Sequence, residues 1–422
     1  MTSRSQSLDV PYYVKACALG FSAYLIGAHL WTWVLMFPVM FSGRADFRQL
    51  YVAGYTVRIG HASELYDYQK QGRYQNAIVS PAKITLPFNH LAYESLLFAP
   101  FSALSYRAAY LSFLVINLGA VLLCFLLLRP RLQNLGAVYP WLPAALFLAF
   151  LPIGAALIQG QDSILLLTLL VSAFLCLESG MPLIAGLLCG LGMFKFQIVL
   201  PIALLFALWR RWRMIAGFGI SSAAVTTISV WLVGIKGNHV YLSGLRRMSS
   251  ELRPAEQMLY HISPSNMPNI RGLAYAIFGS GHLAFWVTAA CSALIVFLSG
   301  KWASRDKSGF LIAVVVSALV SYHFLIHDMS VLALPLFLTL DRTVEFEGTG
   351  QSEQLIFRSA AALLVTPLLI SYSAEHFYLA ALPIAGLLAA LTAHMWHVSN
   401  HRLRSAFGNG QALPNTSANS LE

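Results

Sequence analysis

Apolar runs long enough to cross a lipid bilayer recur from one end of this chain to the other, and they fix its solvent before anything else. A helix needs roughly 20 residues to cross about 30 Å of hydrocarbon. Candidate spans lie near residues 14–41, 104–128, 137–157, 162–178, 181–194, 196–209, 214–234, 273–299, 309–322, 329–341, 355–371 and 377–396, several of them short for a full crossing. In hydrocarbon the backbone must satisfy its own hydrogen bonds, so only helices and closed barrels span. These runs are apolar on all sides and lack the period-two alternation of a barrel strand. The expected fold is therefore an all-α polytopic membrane protein with about 12 transmembrane or partly spanning helices. Only 10% of the residues are charged, against roughly 25% in a soluble domain.

The 27 Lys and Arg exceed the 17 Asp and Glu, for a net charge of +10. On a membrane chain, anionic lipid headgroups are the simplest partner for that excess. No zinc-finger spacing or basic-aromatic patch points to nucleic acid. Cys17, Cys124, Cys176, Cys189 and Cys291 all lie inside apolar runs and read as small buried hydrophobes rather than a disulfide framework. The first apolar run has no small-residue cleavage site and is expected to be retained as a helix.

Short basic connectors orient the chain. Arg129 and Arg131, the Arg210, Arg211 and Arg213 cluster, Lys301 with Arg305 and Lys307, Arg342, and Arg402 with Arg404 fall at alternate span ends, as cytoplasmic loops do. Both termini are thus expected in the cytoplasm. The opposite, extracytoplasmic end receives two long loops, 42–103 and 235–272, and the turns Gln159–Ser163, Tyr322–Asp328 and Ser371–His376. Asp46–Ile59 has the pattern of an amphipathic interfacial helix. Basic residues of the long loops, among them Arg44, Arg48, Arg58, Arg246, Arg247, Arg253 and Arg271, are available for an anionic ligand. Gly186, Gly190 and Gly192 ahead of Lys195 and Pro201 suggest broken or tilted helices. Residues 1–400 read as one membrane domain, and 401–422 as a disordered cytoplasmic tail.

Polar chemistry is concentrated at a few span ends. Asp46, in Arg44-Ala45-Asp46-Phe47, is either a solvated surface carboxylate or a base able to take a proton from a hydroxyl. Lys195 sits between two apolar segments, where an ammonium must snorkel, pair or face a polar cavity. His323 and His327 are four apart, so a helix would put both on one face. Phosphate binding and helix capping both fit that pair. Catalytic zinc does not, because no His-Glu-x-x-His motif accompanies it, and no metal or cofactor is expected. Arg271, at a helix entrance after the turn-rich segment 260–272 with His261, Asn266 and Asn269, has the planar fork that clamps phosphate. Gln161, in Gln159-Gly160-Gln161-Asp162-Ser163, belongs to a tight reversal or recognises sugar hydroxyls. No nucleophile elbow or nucleotide phosphate loop is present.

Taken in order, Arg44-Ala45-Asp46-Phe47-Arg48-Gln49-Leu50-Tyr51, Leu65-Tyr66-Asp67, Tyr93-Glu94-Ser95 through Pro100, Gln159 to Ser163, Phe194-Lys195-Phe196-Gln197, Asn269-Ile270-Arg271-Gly272 and Tyr322 to Asp328 resemble the bacterial glycosyltransferases of family 87, also described as DUF2029. The family commonly has Tyr-Pro-Pro where this chain has Tyr93-Glu94-Ser95. The resemblance implies a GT-C-type helical bundle in the bacterial inner membrane. It also implies inverting transfer of a hexose, often mannose, from a polyprenyl-phosphate donor to a lipid or glycan acceptor on the extracytoplasmic side. Asp46 matches the family's base. Lys195, Arg271, His323 and His327 would hold the donor phosphate, with Tyr51, Tyr93, Glu94, Gln161, Asn266, Asn269, Tyr322 and Asp328 as candidates for sugar or acceptor contacts. A transporter or flippase is the alternative from the residues alone, since broken helices and a buried cation also suit alternating access.

Overall fold

A computed structural model describes residues 12–82, 84–249, 263–279, 281–302, 307–344, 351–369 and 373–393. The expected tail 401–422 and part of the second long loop, with Arg253 and His261, lie outside the described residues. The described residues form helices and irregular connections, with no strand. In chain order the helices are α1 (Tyr12–Val39), α2 (Phe47–Arg58), α3 (Tyr68–Ile78), α4 (Tyr93–Phe98), α5 (Tyr106–Leu128), α6 (Gln133–Val138), α7 (Leu142–Ala149), α8 (Leu151–Gln159), α9 (Ser163–Glu178), α10 (Pro182–Leu191), α11 (Phe196–Leu208), α12 (Trp212–Ser249), α13 (Ile270–Phe278), α14 (His282–Trp302), α15 (Lys307–Val320), α16 (Ala333–Val344) and α17 (Gln351–Leu369). A 3₁₀ segment at Ala374–Ala380 leads into a last helix.

Six stretches are long and apolar enough to cross a membrane: Lys15–Arg58, Tyr106–Arg131, Pro182–Leu208, Trp212–Arg246, His282–Lys301 and Glu375–Ala393. The pair α7 and α8, bent by 55°, makes a seventh if it is one span. This is a polytopic α-helical membrane protein in which, among the described residues, six or seven stretches are long and apolar enough to cross, against about twelve transmembrane or partly spanning helices expected. The difference has a physical source. Phe310 to Val316 in α15 and Ala333 to Phe337 in α16 are buried inside the protein, and a helix wrapped by protein is apolar all round whether or not it meets lipid. Composition cannot separate the two cases. By contrast α5 exposes Val115, Leu118, Leu122 and Leu126, the outward apolar face that lipid requires.

Of the expected breaks, the one at Gly192 ahead of Lys195 is present, and two other expectations need correcting. Gly186 and Gly190 do not break α10. They let it pack against α12 so closely that a Cβ on Gly186 would lie 2.0 Å from the Met214 carbonyl oxygen, and Gly217 on α12 answers with 2.0 Å to that of Leu183. The interruption falls one turn later, in the 3₁₀ segment Gly192–Lys195. The second expected loop, 235–272, is helical through Ser249, because α12 continues past a kink at Gly234 (φ 68°).

The first long loop is structured, with α2 as its core. Instead of floating at an interface, α2 buries Phe47, Leu50, Tyr51, Val52 and Ala53 in a second core beside the main bundle. Phe47 stacks on Phe113 at 5.3 Å, Phe98 meets Phe113 edge-on at 5.0 Å, and Tyr51 meets Tyr106 at 5.5 Å. That aromatic cluster seats α2 and α4 on α5 and fixes the chain position at which Asp46 emerges.

Candidate active site

The end of α1 dictates where Asp46 points. After Pro38 the helix loosens into a π-turn at Met40–Arg44, and Gly43 takes φ 101°, a conformation that disfavours a side chain. Arg48 locks this turn in place. Its guanidinium donates to the Gly43 carbonyl (3.1 Å), Gln75 Oε1 (3.1 Å), Asn76 Oδ1 (3.0 Å) and the Ser80 carbonyl (2.7 Å). Arg58 likewise donates to Ser102 Oγ and the Ser102 carbonyl. These two loop arginines therefore hold the scaffold and do not face a ligand.

Asp46 occupies the residue before α2 without capping it, so its carboxylate is not spent on the helix. It meets the turn between α8 and α9. Gln161 Nε2 donates to Asp46 Oδ2 at 2.6 Å, and the Asp46 backbone N–H donates to Gln159 Oε1 at 3.3 Å. Gly160, between the two glutamines, has φ 60°, and a Cβ there would come within 2.7 Å of Phe47 Cβ. Only glycine lets this turn close onto the start of α2. The carboxylate remains 26% exposed, with His327 Nδ1 3.9 Å away.

Lys195 ends the 3₁₀ segment before α11 and is 3% exposed. It neither snorkels nor stands open to an anion. Its Nζ lies 3.1 Å from Asp162 Oδ1, 3.0 Å from Asp328 Oδ1 and 3.4 Å from Gln161 Oε1. Asp328 also accepts from Ser163 Oγ (2.9 Å) and the Leu325 N–H (3.0 Å). Behind this group, His90 Nδ1 contacts Asp162 Oδ2 at 3.0 Å and Glu94 Oε2 more closely.

Burial alone would raise the Asp162 and Asp328 carboxyls, but the Lys195 ammonium outweighs it and, aided by His90 and His327 respectively, holds both below the ordinary carboxylate range. Burial disfavours a charged His90, yet the Glu94 and Asp162 charges prevail and raise it to about 10. Glu94, desolvated and next to Asp162, is pushed up to about 8 in spite of His90. The result is a closed set of charges in which cations and anions answer one another.

The opposite wall comes from α13 and the Ser321–Asp328 segment. Asn269 caps α13 by accepting from the Gly272 N–H at 3.0 Å and donates to the Ser321 carbonyl at 2.6 Å. Arg271, in the first turn of α13, is buried. It donates to the Tyr322 carbonyl at 3.0 Å, and its guanidinium carbon lies 3.8 Å from the Tyr322 ring centroid. His323 and His327 do not share a helix face, because residues 321–327 form an irregular turn. Both imidazoles nevertheless reach the same space. Burial lowers His323 to about 3 and also lowers His327, against the pull of Asp328 on each. Both rings are thus neutral near pH 7, hydrogen-bonding groups rather than cations.

These walls enclose a cleft of about 420 Å³. Of the expected site residues, Asp46, Gln161, Lys195, Arg271, Tyr322, His323 and His327 line it. Among the described residues, Asp46 is the only carboxylate in that lining. The other six stand outside the lining. Tyr51 is buried in the aromatic core with its hydroxyl on the Leu104 carbonyl (2.8 Å). Tyr93 braces the turn before Lys195, donating to the Leu191 carbonyl (2.6 Å) and accepting from the Phe194 N–H (2.9 Å). Glu94 and Asp328 lie in the buried charge set, Asn269 is a cap, and Asn266 is exposed on a 3₁₀ turn. Gln49, Asn89, His90, Gln197 and Arg246 complete the polar lining. Gln49 and Gln197 fall inside the motif blocks, and Asn89 and His90 lie a few residues ahead of the block at Tyr93. Arg246 lies in no motif block and is expected only as one of several loop arginines available to an anionic ligand; the continuation of α12 past Gly234 brings it to the cleft.

A second recess, about 850 Å³, borders α11 further along and is lined almost wholly by apolar side chains of α11, α12 and α14. Its size does not make it the reactive site, since Ser292 is the only polar side chain among the described residues that line it. As for cations, the ligand-type atoms of His90, Glu94 and Asp162 come within 4.8 Å of one another. In the structure those groups are engaged with each other and with Lys195.

Searches against curated proteins and against solved structures each returned no match. A family model, glycosyltransferase family 87, matches residues 94–335, which is more than half of the chain and holds every lining residue singled out above from Gln161 to His327. Asp46 precedes the matched region and joins it through Gln161. With the polytopic helical fold, this makes the chain a membrane glycosyltransferase: it belongs to glycosyltransferase family 87.

Proposed function

We propose that this chain transfers a hexose, mannose foremost, from a polyprenyl phosphate to a hydroxyl of a lipid or glycan acceptor, with inversion. The observation that carries the reading is the pairing, across one cleft, of the carboxylate of Asp46 with the stacked guanidinium of Arg271. In the reaction the acceptor oxygen attacks the anomeric carbon while its proton passes to Asp46. The bond from that carbon to the phosphate oxygen breaks, and the electron pair leaves with the polyprenyl phosphate. Arg271 and the neutral N–H groups of His323 and His327 stabilise the charge that grows there. A phosphate leaving group needs no separate acid, and a double displacement would call for a second carboxylate about 5 Å from the first. Asp162 and Asp328 do not supply it, because both are tied to Lys195 behind the lining.

The apolar recess suits the prenyl chain. Phe196 and Gln197 line the cleft and Leu200 and Leu204 line the recess, so a lipid leaving the cleft along α11 meets the recess about 6 Å on. Charge supports an orientation. Arg210, Arg211 and Arg213 lie beyond the far end of α11 from Lys195, and basic connectors of this kind favour the cytoplasmic side, which supports an extracytoplasmic cleft.

The test is incubation of purified protein with a panel of polyprenyl-phosphate sugars and membrane-lipid extract, followed by mass analysis of the products. Asp46→Asn is expected to keep its thermal stability in detergent and to lose at least about a hundred-fold in transfer. Wild-type turnover by that variant rejects the assignment.

A further inference from the structure

Among the residues expected to hold the donor phosphate, Lys195 has surroundings that do not suit one. An anion brought to its Nζ would also meet Asp162 Oδ1 at 3.1 Å and Asp328 Oδ1 at 3.0 Å from that same nitrogen, two carboxylates for one ammonium. What Lys195 does touch on the cleft side is Gln161 Oε1, at 3.4 Å. The other end of the same amide donates to Asp46 Oδ2, at 2.6 Å. An amide between an ammonium and a carboxylate is satisfied in one sense only, oxygen to the cation and NH₂ to the anion. Reversal would set an acceptor against Asp46 and a donor against Lys195.

We propose that Lys195 is a positioning residue: it fixes the amide of Gln161, and Gln161 holds the Asp46 carboxylate so that Oδ1 is left for the acceptor hydroxyl. This rests on the glycosyl-transfer reading above. It moves Lys195 from the donor phosphate to the attacking side of the reaction. Asp162 and Asp328 acquire a purpose in the same step, since they hold the ammonium to one side of Gln161. Tyr93 supports them by pinning the turn that carries Lys195. Gln159 completes the cradle from the same reversal as Gln161 by accepting from the Asp46 backbone.

Steady-state transfer, with donor and acceptor titrated separately, tests the assignment. The variants are Gln161→Ala, Gln161→Glu, the charge-matched pair Lys195→Met with Asp328→Asn, and the triple combination of that pair with Gln161→Ala. The pair removes one positive and one negative charge, so no extra buried carboxylate is left behind. Gln161→Ala and the Lys195 pair are each expected to lower kcat about ten-fold or more, the scale of one hydrogen bond to a charged group. Donor KM stays within about two-fold, and the triple variant is no slower than the slower of its parents within about two-fold, because both act through one contact. Gln161→Glu keeps the shape but loses the N–H and is expected to be slower than Gln161→Ala. A role in packing alone predicts the reverse order. A rise in donor KM of about ten-fold with the Lys195 pair, multiplying the effect of Gln161→Ala, overturns the proposal and returns Lys195 to the phosphate. A wild-type chain that moves sugar from no donor in the panel overturns the functional reading itself, and this inference with it.

Discussion

The cleft and the apolar recess are neighbours on α11 and differ in nearly everything else. The cleft gathers Asp46, Gln161, Arg271 and two histidines from segments far apart in sequence, all at helix ends or turns. The recess is lined by side chains that lie within helices and are apolar except for Ser292. The physical reason is that a helix interior satisfies its own backbone and leaves only side chains to offer. Helix ends leave donors and acceptors that demand polar partners. Chemistry therefore collects where helices stop, and lipid contact where they continue.

That contrast can be attacked at several points, in order of expected effect. Lys195→Met alone strands Asp162 and Asp328 without their cation, and breaking a buried pair in this way costs about 3–5 kcal/mol. Thermal unfolding in detergent is expected to fall steeply for this variant, and an unchanged midpoint means that the charge set is not closed. Arg271→Met leaves the scaffold standing but removes the cation opposite Asp46. Donor KM is expected to rise about 10- to 100-fold, the worth of one or two charge-assisted hydrogen bonds, and an unaltered donor titration removes Arg271 from the phosphate site.

Smaller effects sharpen the comparison from the apolar side. Leu204→Trp fills the recess without touching the cleft. It is expected to weaken long-chain donors by about ten-fold, roughly the transfer energy of two methylenes, while short-chain donors are unaffected. Equal loss for both breaks the link between recess and prenyl chain.

A last effect concerns pH. The folded chain keeps the His90 proton up to about pH 10, whereas the unfolded chain loses it near 6.5. That stabilisation is complete below pH 6.5 and disappears as pH rises through about 10. Glu94, raised from 4.5 to about 8, adds to the decline between those values. Asp162 and Asp328 act in the opposite direction, losing their contribution as pH falls below the ordinary 3.8. Melting curves taken from about pH 6.5 to 10 should decline for the wild type and decline less for His90→Gln. Parallel slopes exclude His90 as the source.

Much of this was readable beforehand, and the misses follow a pattern. The motif blocks around Asp46, Gln161, Arg271 and Tyr322–Asp328 converge on one cleft, because a residue that interrupts an apolar run needs a polar destination. Lys195 shows where that logic stops. An ammonium between apolar segments signals a partner without saying which, and its partners Asp162 and Asp328 lie 33 residues before it and 133 after it. The His323 and His327 spacing fits a helix, yet Asp328 draws the Leu325 N–H to itself and the segment turns instead. Tyr51 carries the same aromatic signal as a surface tyrosine, and only its position opposite Tyr106 makes it core.

Hydropathy by itself determined that this chain lives in a bilayer as helices, because unsatisfied backbone in hydrocarbon excludes every alternative except a closed barrel. It did not determine which apolar helices meet lipid, since protein and lipid interiors are equally apolar. α15 and α16 were indistinguishable from spans until their neighbours were seen around them. Nor did it determine which charges act and which only neutralise one another. That distinction is set by distances of about 3 Å between residues more than a hundred positions apart, and only the tertiary structure brings them within reach.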